Sequence, residues 1–544
     1  MCQETDHGAA TSFVERSLML RRLFGLTAMV LCLSIPLGSQ AAETTPTPTP
    51  AVAPATETAA APAAAPAHPA QGKIDAAKAW FGTYVAPKSE DEVKNKKPAT
   101  TINNGDNAWM LTSSLLVLLM TIPGLALFYG GLVRRKNVLS TMMHSVVLCG
   151  VISVIWALWG FSWAFGGGPV GADGAPTWLA QFFGGGEFAM LKGVVLDTNL
   201  IDHSNRFPIN LDYAPTINFA VFCMFQLMFG IITPALISGA FAERIKFSGM
   251  LVFTVIWFCF AYLPLAHMVW GKNGAFNWGF NYNMSGAFDF AGGTVVHISS
   301  GVAALIAAFF LGKRKGYPAS PMMPHSLVLS VIGAGLLWVG WFGFNAGSAL
   351  GANGLAALAF ANTMLATGAA LLSWPLAEWF IRGKPTTLGA ISGAVAGLVA
   401  ITPACGFVEP GSALLIGFIA GALCFTATSY LKRALGYDDA LDAFGIHGIG
   451  GMWGAIATGL FLSIDANPNI PALNDKLYMA LVDGTHPVIW LQVKAVLCTI
   501  ALSAVVATIA LVITKYTVGL RATAEDESGG LDLSQHGEEG YSHG

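Results

Sequence analysis

Charge is what this sequence has least of. Asp, Glu, Lys and Arg make up 11% of its 544 residues, about half the share usual in soluble domains. So few charges cannot clothe a water-facing globular surface. The 28 basic and 31 acidic side chains nearly cancel, and no basic cluster stands out, so nothing in the charge points to nucleic acid. Cysteine pairing is missing too. Cys2 and Cys32 fall in the N-terminal leader. Cys149, Cys223, Cys259, Cys405, Cys424 and Cys498 are scattered through apolar stretches without pairing or zinc spacing, which leaves them as small buried hydrophobes. Alternating segments of about ten residues are absent as well, which excludes a transmembrane β-barrel.

What the chain has instead is long apolar sequence. Hydrophobic residues make up 54% of it, and several continuous runs approach or exceed the roughly 20 residues that cross a bilayer. The pattern predicts an all-α polytopic membrane protein with a membrane domain over 105–516. Its eleven transmembrane helices are expected at about 109–132, 138–165, 214–241, 248–270, 290–312, 325–347, 355–381, 387–405, 412–434, 443–463 and 487–515. Residues 517–544 form a tail that, on charge alone, reads as solvated and acidic.

The leader "RSLMLRRLFGLTAMVLCLSIPLGSQA" sets Arg21 and Arg22 before an apolar core from Leu23 to Ile35, with small Ser39 and Ala41 beyond it. That layout predicts a secretory signal over residues 1–41, cut after Ala41, with an uncleaved anchor as the lesser alternative. The residues before Met19 read as an over-long start. Residues 42–104 open on Pro, Ala and Thr and are expected to form a disordered, semi-extended periplasmic linker.

Basic residues alternate between loops. Arg134 to Lys136, Arg244 with Lys246, Lys313 to Lys315, Arg382 with Lys384, Lys432 with Arg433, and Lys515 with Arg521 fall on one side. The other side has few: Lys192, Arg206, Lys272 and Lys476. The positive-inside rule then predicts an outside N-terminus and a cytoplasmic C-terminus. Glycine is frequent within the runs, as in "GAISGAVAGL" and "FGIHGIGGMWG". Small residues let membrane helices approach closely, so a tight bundle is expected.

Ionisable residues inside the runs are few, and each is a functional candidate. "DFAGGTVVHISSG" opens the fifth run with Asp289 and His297. "DAFGIHGIGGMWG" opens the tenth with Asp442 and His447. Five spans separate the two motifs, so they enter the membrane from opposite sides. This predicts two inverted five-helix repeats plus a final helix, with a pathway at their interface. Both histidines would reach towards mid-membrane. A neutral imidazole has one donor and one acceptor nitrogen, so the two rings can bond each other. Two alternatives stay open: each ring bonds a neighbouring carbonyl, or both ligate a haem iron. Asp289 is placed to cap the fifth helix. Asp438, Asp439 and Asp442 read as solvated or capping groups. Phe229, Phe344 and Trp270 read as core or interface aromatics, with cation attraction as the alternative.

Taken together, "FYGGLVRRKN", "GAFAERIKFSGML", "PLAHMVWG", "DFAGGTVVHISSG", "WFGFNAGSAL", "TPACGFVEPGSALLIG" and "DAFGIHGIGGMWG" resemble the ammonium transporter family, which shares its fold with methylammonium permeases and Rhesus glycoproteins. The resemblance runs from about residue 105 to 543. The leader and linker lie outside it, and the loop from Gly166 to Asp212 is long for bacterial members. The resemblance implies a non-enzymatic bacterial inner-membrane protein, without cofactor, that forms a homotrimer with one path per protomer. It implies that Trp270 and Ser348 recruit ammonium (methylammonium as analogue), with Phe225 beside them. Phe229 and Phe344 would be two stacked rings blocking the entrance, and His297 and His447 the twin-His pair. Asp289 would act structurally or in deprotonation. Lining or support roles are implied for Trp341, Asn345, Phe128, Tyr129 and Thr402. The tail would help a PII signal protein dock. An ammonium sensor signalling through PII is the alternative function.

Overall fold

The computed structural model describes residues 102–541, apart from 173, 197–206, 278–285, 468, 471–478, 480–481 and 484–487. The predicted signal lies outside the described residues, as does the predicted linker up to residue 101. Among the described residues all named elements are helical, and pairing is limited to isolated bridges such as Ile245 with Arg521.

Nine helices among the described residues are long and apolar enough to cross a membrane. They are α1 (Asn104–Leu132), α2 (Arg135–Phe165), α3 (Phe219–Phe241), α4 (Phe247–Trp270), α5 (Gly293–Leu311), α6 (Leu327–Gly347), α7 (Gly354–Arg382), α9 (Pro410–Leu435) and α11 (Val488–Thr517). The predicted eighth run is the shorter helix α8, Thr387–Ile401. The tenth is α10, whose first turn Phe444–Gly448 runs into Ile449–Phe461. Boundaries shift where local chemistry overrides hydropathy. The fifth helix starts at Gly293, because Gly292 adopts φ 120°, a conformation an L side chain resists.

The bundle is apolar on the outside and holds its polar groups within. Leu115, Val328, Leu372 and Phe380 are exposed, whereas Thr121, His297, Asn345 and Asn362 are buried. Only hydrocarbon solvent makes that distribution favourable. Glycine sets the helix spacing where it matters most. A Cβ on Gly301 would lie 2.2 Å from the Gly448 amide nitrogen, so α5 and α10 touch backbone to backbone.

One end of the bundle gathers the basic loops. Glu243, after α3, accepts from Arg134 Nε at 2.7 Å and from Arg314 Nη1 at 2.7 Å. Arg314 also donates to both oxygens of Asp438 at 2.9 Å. Burial pushes the Glu243 and Asp438 carboxyls up, but the guanidinium partners outweigh it and hold both below the usual range.

The tail is packed against this end, which corrects the expectation of a solvated strand of charge. A capping box of Thr523 and Asp526 starts α12, Ala524–Gly529. Arg521 donates to the carbonyls of Leu311 and Lys313 at 2.8 Å and pairs with Glu527 at 2.5 Å. Asp532 accepts from the amides of Leu139 and Ser140, at 3.0 and 2.7 Å. Asp526 and Asp532 serve as caps and Glu527 as an ion-pair partner, and Glu527 and Asp532 are buried.

Candidate functional site

The contact between α5 and α10 brings the two histidines together. Each sits in a π-helical turn, Gly293–Ile298 and Phe444–Gly448. Such turns re-aim side chains and recur at functional sites. The Nδ1 atoms lie 3.3 Å apart, the ring centroids 5.3 Å apart and the planes 18° from parallel. One nitrogen donates and the other accepts, so the two rings hold complementary tautomers. His297 Nε2 has no protein partner. A direct bond between the two imidazoles leaves no room for an iron between them, so the haem alternative does not fit.

A narrow apolar cavity runs beside the pair. Met120, Leu125, Phe128, Ile232, Leu236, Val296, Leu337, Trp341, Phe344 and Val395 line it with both histidines. Phe344 closes it towards α3. Its ring lies 4.3 Å from that of Phe229, tilted by 39° rather than stacked. Phe229 in turn meets Phe225 and Trp270 edge-on, at 4.9 and 5.9 Å. Phe344 stacks near His297 at 6.0 Å. The result is an unbroken column: Trp270, Phe229, Phe344, His297, His447.

The remaining predicted residues divide into neighbours of this column and supports behind it. Trp341 lines the cavity, stacks on His297 at 5.3 Å and donates to Thr402 Oγ1 at 2.9 Å. Trp270 donates to the Asp289 carbonyl at 3.2 Å, and the Ser348 hydroxyl to the Phe344 carbonyl at 2.8 Å. Each is thus tied to one side of the ring pair. Asn345 is turned to α7, where its Nδ2 donates to Thr363 Oγ1 at 2.9 Å. Tyr129 packs against Gly239 and donates to the Leu236 carbonyl at 3.1 Å. Phe128 lines the cavity, but neither Asn345 nor Tyr129 does.

Asp289 gathers the first turn of α5. Its Oδ1 accepts from the amides of Gly292 and Gly293, at 2.8 and 2.6 Å. Its Oδ2 accepts from the amides of Thr294 and Val295, at 2.7 and 3.4 Å, and from the Thr294 hydroxyl. These donors use the four or so lone-pair sites of a carboxylate. Its counterpart in α10 is Asp439, not Asp442. Asp439 stands as far before His447 as Asp289 before His297, and its Oδ2 accepts from the Phe444 amide at 2.8 Å. Asp442 occupies the place of Gly292, with φ 61° against 120°. Asp438 and Asp439 are buried rather than solvated. Three acids within five residues hid this match in the sequence; the shared spacing to histidine was the signal that reveals it.

A multi-helix membrane bundle with a narrow apolar cavity, ringed by aromatics and two facing imidazoles, defines a polytopic protein of the transporter class. The chain matches the Ammonium Transporter Family over residues 108–541 and belongs to that family. It is 48% identical over 437 residues to the ammonium transporter of Bacillus subtilis (strain 168), covering 80% of this chain and 98% of that one. It is 46% identical over 446 residues to the ammonium transporter of Mycobacterium tuberculosis (strain H37Rv), covering 81% and 90%. Among solved structures, Candida albicans Mep2 superposes with a TM-score of 0.68 at 31% identity, covering 82% of this chain and 92% of that one. A protein described as a sensor Amt protein superposes at 0.65 with 25% identity, covering 80% and 98%. The two bacterial relatives are described as ammonium transporters, and the family is one of transporters, not enzymes.

Proposed function

We propose that this chain moves ammonium across a bacterial cytoplasmic membrane, passing ammonia and its proton separately through each protomer of a homotrimer. In this scheme all eleven helices cross, as two inverted five-helix repeats plus α11. The N-terminus is outside and the tail is cytoplasmic. The gathering of Arg134, Arg244, Arg314 and Arg521 at the tail end supports that orientation.

The observation that carries the proposal is the His297–His447 nitrogen contact beside an apolar cavity. A full charge at the bilayer centre costs at least about 2.5–3.5 kcal/mol, so bare ammonium crosses an apolar cavity slowly. Potassium is of similar size, so size cannot select. Deprotonation can. Trp270 and Ser348 hold the cation at the outer mouth, with Phe225 beside them; ring faces attract it as water leaves. The proton is given up near Phe229 and Phe344, where Asp289 fixes the start of α5. Ammonia then passes the two rings into the cavity. The imidazole pair offers the proton a separate route, because a bonded pair can accept at one nitrogen and release at another.

Purified protein in proteoliposomes tests this directly. Ammonium and methylammonium gradients are expected to evoke current, and potassium none. Ammonia flux without current at any gradient would leave a passive gas channel and remove the electrogenic scheme.

The docked tail supports a second reading, a sensor that signals through a PII protein, and the structural likeness to a sensor Amt protein agrees with it. Tail deletion separates the two. Unchanged uptake with lost signalling favours sensing.

A further inference from the structure

Two acids stand at matching positions before the two histidines, yet only one has its lone pairs filled. Asp289 accepts from four amides and a hydroxyl. Asp439 is fully buried; its Oδ2 takes the Phe444 amide, and its Oδ1 has no partner. An ionised carboxylate in that setting lacks the donors that burial demands.

The nearby cations are engaged elsewhere. Lys432 Nζ donates to the Asp439 carbonyl at 2.6 Å and to Asp442 Oδ1 at 2.7 Å, not to the Asp439 carboxyl. Arg244 Nη2 donates to the Asp438 carbonyl at 2.5 Å. The other ionisable neighbours are the Asp442 carboxylate and the phenols of Tyr129 and Tyr437. Burial pushes the Asp439 carboxyl up to about 6; Asp442 adds to the rise, while Lys432 and the Phe444 and Ala443 amides oppose it. Asp438, next in sequence, is held low by Arg314. Two adjacent acids thus have their affinities for a proton pushed apart, as in acid–base pairs of known active sites.

We infer that Asp439 is the proton-exchanging carboxyl at the cytoplasmic end of the path. This deepens the transport function proposed above and rests on it. The position suits the role: His447 follows the capped Phe444 amide by about 5 Å of helical rise, and Tyr129 adjoins the cavity-lining Phe128. A proton arriving by way of the imidazole pair binds the Asp439 carboxylate. Ammonia leaving the cavity takes it: the O–H bond breaks, an N–H bond forms, and ammonium departs with the charge. The carboxylate is then ready for the next proton.

Asp439→Asn keeps the side-chain shape and an oxygen for the Phe444 amide but cannot exchange a proton. In proteoliposomes its ammonium current is expected to fall about a hundredfold, the scale of a lost general acid, while Asp439→Glu retains current. Full-length protein is also titrated by infrared difference spectroscopy, which needs no transport. A protonated-carboxyl band is expected in the wild type below about pH 6, lost as pH rises through that value and missing from Asp439→Asn. Wild-type current in Asp439→Asn overturns the inference. So does a wild-type protein with no such band, which keeps the test open if the Asn variant fails to fold. Absence of ammonium current in the wild type overturns the electrogenic function instead, and the band then reads Asp439 independently.

Discussion

His297 and His447 face each other nitrogen to nitrogen, 3.3 Å apart, from two helices that meet backbone to backbone at Gly301 and Gly448. The pair is a two-residue unit, since each ring fixes the tautomer of the other. Replacing one therefore disables both. His297→Ala is expected to cut selective ammonium current by about a hundredfold or to open the cavity to potassium. The ratio of ammonium to potassium current reads the outcome. Wild-type current with potassium still excluded would show that the imidazoles do not carry the proton.

The Gly301 contact makes a sharper structural prediction. Gly301→Ala places a methyl group 2.2 Å from the Gly448 amide nitrogen and 2.4 Å from its Cα. Backbone cannot yield as a flexible side chain can, so α5 and α10 must separate. Overpacking of this kind costs about 1–3 kcal/mol. A lower melting temperature in detergent is expected together with reduced ammonium current. A fully stable, fully active variant would mean the two helices do not touch there.

The ion-pair cluster predicts a pH dependence with a definite sign. Glu243 and Asp438 are both held below their ordinary values, burial notwithstanding, by Arg314 and its neighbours. A lowered acid contributes stability that is complete above its unfolded pKa, about 4. That contribution is lost as pH falls through the lower folded value. Thermal stability is thus expected to change little on this account from about pH 7 to 5 and to drop below about pH 4. Glu243→Gln leaves Arg314 with one carboxylate instead of two. Breaking a buried pair costs about 3–5 kcal/mol, so the variant should melt lower at neutral pH and show a shallower acid limb. An unchanged melting curve would remove the cluster from any account of stability.

The path was partly legible because a membrane protein advertises its polar interior. His297 and His447 stood out as ionisable groups in apolar runs, and helix boundaries followed hydropathy to within a few residues. Asp439 did not stand out, because "DDALD" offers three acids and only the chain path decides which is buried with an oxygen left unpaired. Arg314, Glu243 and Asp438 come from three loops far apart in sequence, so no local pattern could join them. The tilt of Phe229 against Phe344 and the turning of Asn345 to Thr363 are packing outcomes. They depend on neighbours in α3, α6 and α7 together. The tail misled for a related reason: its charge suggested solvation, yet Asp532 caps a helix nearly 400 residues earlier and Glu527 pairs with Arg521.

That tail allows a test of coupling between regulation and fold. Asp532 accepts the amides of Leu139 and Ser140, where α2 passes from its opening 3-10 turn, Arg135–Asn137, into α-helix at Val138. First-turn amides have no partner within their own helix, so here the tail supplies the cap from nearly 400 residues away. Asn137 reinforces it by accepting from the Leu531 amide at 2.9 Å while donating to Glu243 at 3.0 Å. Losing such a cap costs about 0.5–2 kcal/mol. Between one and two kcal/mol corresponds to a factor of about 5–30 in an opening equilibrium. Asp532→Ala should accordingly speed hydrogen exchange at Leu139 and Ser140 by that order and make the tail a better substrate for limited proteolysis. The ion-pair cluster at Arg314 does not include Asp532, so global melting should move much less than in Glu243→Gln. If exchange at the two amides matches the wild type, the tail is not capping this helix in solution, and a partner that binds the tail would have no such route into the bundle.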